Sequence, residues 1–253
     1  MALLEAFARP LDPVNPAIEH ARLLNERLRN WRTRDLLAEV IHEEFEGRIA
    51  LVSSFGAESV VLLHLAASVA PSVPVIFIDS GKMFGSTLRY RDELAERLGL
   101  TDVRVARPDP AMLATHDTDA GLWMRQPDKC CAIRKVAPLA RALGEFDAWI
   151  SGRKRYQGGQ RAELPLAEAD GERIKFNPLA TWTKENMTAY IRLHDLPEHP
   201  LVADGFRSIG CMPCTTRVAD GEDERNGRWR GTNKTECGIH LGLASFEGDG
   251  SGI

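Results

Sequence analysis

No stretch of this chain approaches the roughly 20 consecutive apolar residues that cross a bilayer. No N-terminal run combines a charged start, a long apolar core and a small-residue cleavage site. The expectation from these absences is a cytoplasmic protein with no membrane partner, in a compartment where free thiols persist. Positive charge has no excess either: 32 Lys and Arg against 36 Asp and Glu leave a formal net charge of -4, which argues against a general nucleic-acid binder. The Gly-Lys-Ser/Thr ending of a Walker loop is also missing. What is present is 43% hydrophobic residues over 253 positions, enough to bury one α/β core with or without an appendage.

The five cysteines are unevenly placed. Cys130 and Cys131 are adjacent, Cys211 and Cys214 frame a Cys-Met-Pro-Cys turn, and Cys237 stands apart. Two pairs of sulfurs brought together by a fold make a soft site suited to zinc or an iron–sulfur cluster. Cys237 then remains as a single free thiol able to act as a nucleophile. Adjacent cysteines point in different directions and serve one small ion poorly, whereas a polynuclear cluster takes neighbouring thiolates at different corners. That spacing favours [4Fe-4S] over zinc; a pair of small core residues or a vicinal disulfide are the remaining readings of Cys130-Cys131. Colour separates the metals, since an anaerobically purified iron–sulfur protein is brown and a zinc protein colourless.

Residues 1–45 read as a helical segment packing on the core after a Pro-rich start (Pro10, Pro13, Pro16), with Leu24, Leu28 and Trp31 on one face and Leu37, Val40, Ile41 and Phe45 on another. Residues 48–53 read as a buried strand, followed by a small-residue loop and a helix to about Val69 that is apolar nearly all round. Strand, loop, helix aims backbone N–H groups and a positive helix end at an anion. Ser53, Ser54 and Ser59 add hydroxyls, and Gly56 allows close approach; a plain turn with capping serines is the alternative. A second strand, 74–78, ends in Asp79-Ser80-Gly81, at the carboxyl end where open α/β sheets bind ligands. A helix over 86–98, a strand near 103–105 and another at 147–152 continue the alternation, which predicts a doubly wound, mostly parallel sheet. Thr183, with Glu185 and Asn186 behind it, predicts a capped helix over 183–194.

Three basic clusters interrupt this acidic chain: Lys129, Arg134 and Lys135; Arg153, Lys154, Arg155 and Arg161; and Arg225, Arg228, Arg230 and Lys234. Their proximity to cysteines, the anion loop or a strand end suggests a pocket for a small, highly charged ligand. Residues 46–215 read as a nucleotide-binding α/β domain with the cysteine site. Residues 216–253, rich in charge and glycine and without periodicity in the tail, read as a flexible segment carrying Cys237.

Taken together, Ser53-Ser54-Phe55-Gly56-Ala57-Glu58-Ser59, Asp79-Ser80-Gly81, Cys130-Cys131 with Ile133-Arg134-Lys135, Cys211-x-x-Cys214 and Glu236-Cys237-Gly238-Ile239-His240 closely resemble the assimilatory, thioredoxin-dependent adenylyl-sulfate reductases. The motifs occur in that family's order across residues 50–240. The resemblance implies an adenine nucleotide α-hydrolase-like fold and reduction of adenosine 5′-phosphosulfate (APS) to sulfite with release of AMP. It also implies a thioredoxin-like dithiol as reductant; a homo-oligomer is left open. Carried across residue by residue, Cys237 resembles the nucleophile that becomes S-sulfocysteine, and Cys130, Cys131, Cys211 and Cys214 the [4Fe-4S] ligands. Lys135, Arg155, Arg225 and Arg228 match basic positions, Lys135 being placed to link cluster and substrate by charge; His240 would tune the thiol or bind a carbonyl. Lys129, where many relatives carry an acid, and Arg153-Lys-Arg-Tyr-Gln157, which differs from the commoner Arg-Arg-Asp-Gln run, depart from the pattern. They leave open a preference for the 3′-phosphorylated nucleotide (PAPS), whose extra phosphate the run 153–161 could hold. A tRNA-thiolation enzyme and a zinc-stapled binding module are the readings from other classes, the first poorly served by Gly56-Ala57-Glu58-Ser59.

Overall fold

The computed structural model describes residues 15–240. Its strands are β1 (Ile49–Ser53), β2 (Val75–Ile78), β3 (Val103–Ala106), β4 (Ala148–Ile150), β5 (Ala167–Asp170) and β6 (Arg173–Phe176). Its α-helices are α1 (Pro16–Leu28), α2 (Thr33–Ala38), α3 (Ser59–Ala67), α4 (Gly85–Leu98), α5 (Pro110–His116), α6 (Leu122–Arg125), α7 (Pro127–Cys131), α8 (Ala137–Ala142) and α9 (Lys184–Leu193). A wide π turn, Ala132–Val136, joins α7 to α8.

The strands form one sheet in the order β3-β2-β1-β4-β6-β5, parallel throughout except for the β5–β6 hairpin. This is the predicted doubly wound α/β sheet. Every residue of β1, β2 and β4 is buried, as expected for parallel strands covered on both faces. Alternate residues feed two cores: Ile49, Leu51, Phe77 and Ile150 pack with α3, while Ala50, Val52, Ile76 and Trp149 pack with Val136, Leu139 and Leu143. The chain leaves β1 towards β2 and β3 and later returns to β4 on β1's other side. The order therefore reverses at β1, and the crevice beyond the carboxyl ends of β1 and β4 is the place where such sheets bind ligands.

The β5–β6 hairpin is not visible in the periodicity, because Glu168, Asp170, Arg173 and Lys175 break its apolar pattern. Each charge has a partner in the fold: Arg153 and Lys175 face Glu168, Trp149 Nε1 donates to Asp170 at 2.9 Å, and Arg173 Nε donates to the Phe146 carbonyl at 3.0 Å. At the sheet edge the Asn25 side chain donates to the Ala167 carbonyl at 2.7 Å and accepts the Ala167 N–H at 3.1 Å, so α1 seals β5. Leu24 and Leu28 are buried as expected, but Trp31 lies beyond the end of α1 and is 43% exposed. α9 opens with the anticipated cap, Thr183 and Asn186 exchanging side-chain and backbone hydrogen bonds. Pro10 and Pro13, and the tail beyond His240, lie outside the described residues.

The loop after α9 is pinned to α4 by His199, which is 1% exposed. Its Nδ1 accepts the Leu201 N–H at 3.1 Å, so Nε2 carries the proton and donates to Thr87 Oγ1 at 2.9 Å; Tyr90 packs edge-on at 4.8 Å. Burial lowers the His199 pKa from 6.5 to about 4. Between these values the unfolded chain binds the extra proton, so this contribution is complete above pH 6.5 and declines as the pH falls towards 4, by at most about 1.4 kcal/mol per pH unit. Urea unfolding midpoints are expected to fall over that range, and His199→Gln to remove that share of the slope.

Candidate active site

A cavity of about 600 Å³ opens beyond the carboxyl ends of β1 and β4. Ser53, Ser54, Gly56 and Ser59 line it, together with Lys135, Arg225, Arg228, Cys237 and His240. The fold thus collects nine of the residues singled out in the sequence, drawn from four separate segments. The loop that leads into α3 is pre-shaped by its own serines: Ser53 Oγ accepts the Phe55 N–H at 3.1 Å and Ser59 Oγ accepts the Gly56 N–H at 2.9 Å. A Cβ on Gly56 would come within 3.2 Å of the Ile209 carbonyl, a tight contact that the glycine avoids.

Five expected residues lie elsewhere. Phe55, at φ 47°, turns its fully buried ring into the core edge-on to Phe77, because an aromatic ring gains more from packing there than from the polar cavity. Asp79 accepts the Gly81 N–H at 3.0 Å and pairs with Arg107 at 3.3 Å, closing a turn outside the cavity. Ser80, fully buried, places its hydroxyl 3.0 Å from Cys211 Sγ and so serves the cysteine side. Arg155 is exposed, its Nε donating to the Leu164 carbonyl at 2.8 Å. From that basic run it is Arg153, Lys154 and Arg161 that line the cavity. Sequence clustering located the run but not its inward members, whose orientation depends on the acids they meet.

Those acids are Glu168 for Arg153, Glu58 for Lys154 at 2.8 Å and Glu236 for Arg161 at 2.6 Å. Glu58 also takes Lys184 at 2.9 Å and the Tyr156 hydroxyl at 2.5 Å. Burial opposes its charge, yet Lys154 and Lys184 hold its pKa down to about 2. Lys135 and Arg228, by contrast, have no carboxylate partner among the described residues. Arg228 lies over the Trp229 ring at 4.5 Å, and a Cβ on Gly210 would fall 2.3 Å from its guanidinium, so that glycine makes its space.

Next to this cavity Cys130, Cys131, Cys211 and Cys214 line a second, narrow pocket, with Lys82, Arg134 and Lys135 as its charged neighbours and no acid. Lys135 and Trp229 belong to the walls of both spaces. The α7 helix and the π turn set this arrangement, placing Cys130 and Cys131 at the end of the helix and Lys135 one turn on. All five thiols are free. Burial pushes Cys130 up to about 11 and raises Cys214. Among the described residues no three His, Cys, Asp or Glu side chains converge closely enough for a single metal ion.

Cys237 is buried and packs with Cys131 and Trp229. Its thiol is held well below the ordinary range by the hydrogen bond with Cys131 and by Lys135, the Ile239 N–H and Arg228, against the effect of burial. For Lys135 burial is the largest single effect, but Cys211, Cys237 and Cys131 together outweigh it and keep the ammonium charged. His240 stacks parallel to Trp149 at 6.2 Å; burial, then Lys175, Arg161, Arg153 and Arg225, keep its imidazole neutral. Its Nδ1 is buried without a partner among the described residues.

A switch-point cavity with a serine loop at a helix start and cations at its far end defines an α/β enzyme fold of the adenine nucleotide α-hydrolase type. Residues 48–217 match the phosphoadenosine phosphosulfate reductase domain, and the chain belongs to that family. It is 48% identical over 240 residues to the adenosine 5′-phosphosulfate reductase of Mesorhizobium japonicum, covering 93% of this chain and 94% of that one. It is 55% identical over 196 residues to the protein of the same name from Chelativorans sp., covering 78% and 80%. Among solved structures it is similar to a phosphate complex of phosphoadenylyl-sulfate reductase from Candida auris, at 26% identity and a TM-score of 0.66 over 79% of this chain and 97% of that one.

Proposed function

We propose that this protein reduces adenosine 5′-phosphosulfate to sulfite and AMP, with Cys237 as nucleophile and a thioredoxin-like dithiol as the electron source. The observation that carries this reading is the position of Cys237, in the wall of a nucleotide-sized cavity beside two cations, Lys135 and Arg228, that no carboxylate among the described residues neutralises. A thiolate approaching an anionic sulfonyl group meets like-charge repulsion, and fixed cations offset it. The Cys237 sulfur forms a bond to the sulfate sulfur while the bond from that sulfur to the bridging oxygen breaks, and AMP leaves with the electron pair. The product is an S-sulfocysteine. A dithiol thiolate then attacks Cys237 Sγ and expels sulfite, and its second thiol resolves the mixed disulfide, so the dithiol supplies two electrons and regenerates the Cys237 thiol. The serine loop and the start of α3 hold the nucleotide's phosphate.

The four cysteines of the narrow pocket fit a [4Fe-4S] cluster: all are soft donors lining one space with no acid in its lining, and the adjacent thiols of Cys130 and Cys131 suit separate corners of a cluster better than one zinc ion. When bound, such a cluster would supply a fixed, polarisable charge next to Lys135. The same site fits the 3′-phosphorylated nucleotide less well, because Arg153, Lys154 and Arg161 are each already paired with an acid. Glu58→Gln removes one of those acids and is expected to raise the kcat/KM ratio for PAPS over APS about tenfold, measured by direct competition of the two nucleotides.

The test of the main reading is intact-mass measurement of the enzyme incubated with APS without reductant. A gain of one sulfo group mapping to Cys237 is expected; an enzyme that turns over with dithiol but never carries that group would overturn it.

A further inference from the structure

Glu236 directly precedes the nucleophile, and its carboxylate is buried, 7% exposed. Both oxygens are in use. Oε2 accepts Arg161 Nε at 2.6 Å, while Oε1 accepts Arg161 Nη2 at 2.7 Å, Arg225 Nη2 at 3.3 Å and the Cys237 N–H at 2.9 Å. Gln157 Oε1 accepts from Arg161 at 2.5 Å, and the Thr235 carbonyl accepts from Arg225 at 2.7 Å. One carboxylate therefore joins the turn Gly159–Arg161, the turn Glu224–Gly227 and the backbone of the reacting cysteine.

Regular structure does little to hold this stretch. From Thr232 to His240 the chain forms no strand or α-helix, only the short turn Gly238–His240, so side chains must supply its docking. Bidentate arginine–carboxylate pairs are strong and directional, and removing one partner from a buried pair is costly. The other described contacts of this stretch are, at its start, the Lys234–Asp128 ion pair, Lys234 over the Trp229 ring and Thr232 on the Trp229 carbonyl. At its end they are the hydrogen bond of Cys237 with Cys131, the packing of Cys237 and Ile239 and the stack of His240 on Trp149; the Glu236 carboxylate is what holds the Cys237 N–H.

The geometry points to Glu236 as the positioning residue that clamps Cys237 in the cavity for attack and is released when the sulfur meets its reductant. The inference rests on the reading of Cys237 as nucleophile. Attack needs the sulfur where the structure has it, whereas a protein dithiol needs it outside, and Cys237 is only 7% exposed in place. The clamp favours the first step and opposes the second. It also occupies Arg161 and Arg225, so its loss leaves two unpaired cations in the cavity and does not weaken nucleotide binding.

The test uses holoenzyme and Glu236→Gln, with Glu236→Asp as a carboxylate of shorter reach. Alkylation of Cys237 by iodoacetamide, read by mass spectrometry on its own peptide, is expected to accelerate about tenfold in Glu236→Gln and less in Glu236→Asp. Single-turnover formation of the sulfo adduct should slow about tenfold with AMP affinity unchanged or tighter, while dithiothreitol releases sulfite from preformed adduct as fast or faster. Unchanged alkylation, or attack and release slowing together, would overturn the clamp. Should Glu236→Gln fail to fold, amide exchange in the wild-type enzyme decides: the Cys237 N–H is expected to exchange more slowly than those of Asn233 and Thr235, and equal rates overturn the proposal. Alkylation and exchange do not depend on sulfo transfer, so a wild-type enzyme that forms no adduct counts against the proposed reaction and leaves the clamp to be judged by its own readouts.

Discussion

Cys237→Ser is expected to lower sulfite release by at least about 10³-fold while AMP affinity stays within a few-fold of wild type. Two independent reasons combine. A serine hydroxyl needs a base to become nucleophilic, and the nearby imidazole, His240, lies flat on Trp149, where burial and then four surrounding cations oppose its taking up a proton. Even a successful attack by oxygen would give a sulfate ester, in which sulfur has not been reduced and from which no dithiol can expel sulfite. The loss is therefore chemical as well as kinetic. Binding should survive because the change removes one buried sulfur from a cavity lined by many other groups. Sulfite and AMP are to be measured in parallel; wild-type sulfite production by the serine variant would refute the mechanism.

The second large effect is expected for Lys135→Met, a change that keeps bulk and removes charge. Fixed donors aimed at developing charge are each worth about 3 kcal/mol, so formation of the sulfo adduct should slow by about 10²–10³. Arg228 remains, which is why the loss is not complete. The position makes the effect specific: Lys135 stands in the wall common to the nucleotide cavity and the cysteine pocket. The check is a single-turnover rate at saturating APS. A rate reduced less than threefold would mean that this ammonium serves only to balance the thiols beside it.

The parallel sheet was legible in the sequence because β1, β2 and β4 are short apolar runs between helices, a pattern fixed by burial on both faces. The hairpin β5–β6 was not, since its charges are satisfied only by residues remote in sequence, such as Arg153 for Glu168 and Trp149 for Asp170. In the site, the serine loop could be read from local chemistry, and Cys237 stood out by isolation. Orientation could not be read. Arg155 and Arg153 look equivalent in the chain, yet one meets a loop carbonyl in solvent and the other an inward-facing carboxylate. Phe55 looked like part of an anion loop because its neighbours are small and polar; its ring follows Phe77 instead. Glu236 carried no signal beyond its place beside Cys237, since its meaning lies in two arginines from distant turns.

The amide of Asn25 has a consequence for how the molecule meets its own copies. A terminal strand offers a row of unsatisfied N–H and C=O groups on which another polypeptide can align. On one margin of this sheet a single side chain imitates the missing neighbour. The opposite margin, β3, is guarded by charge, with Arg104 projecting outward between Asp102 and Glu145. Steric mimicry on one side and electrostatics on the other leave neither flank as a ready template for fibre growth; the Asn25 contact is indifferent to salt, whereas the exposed charges beside β3 are screened by it, so strand addition in concentrated salt would begin at β3.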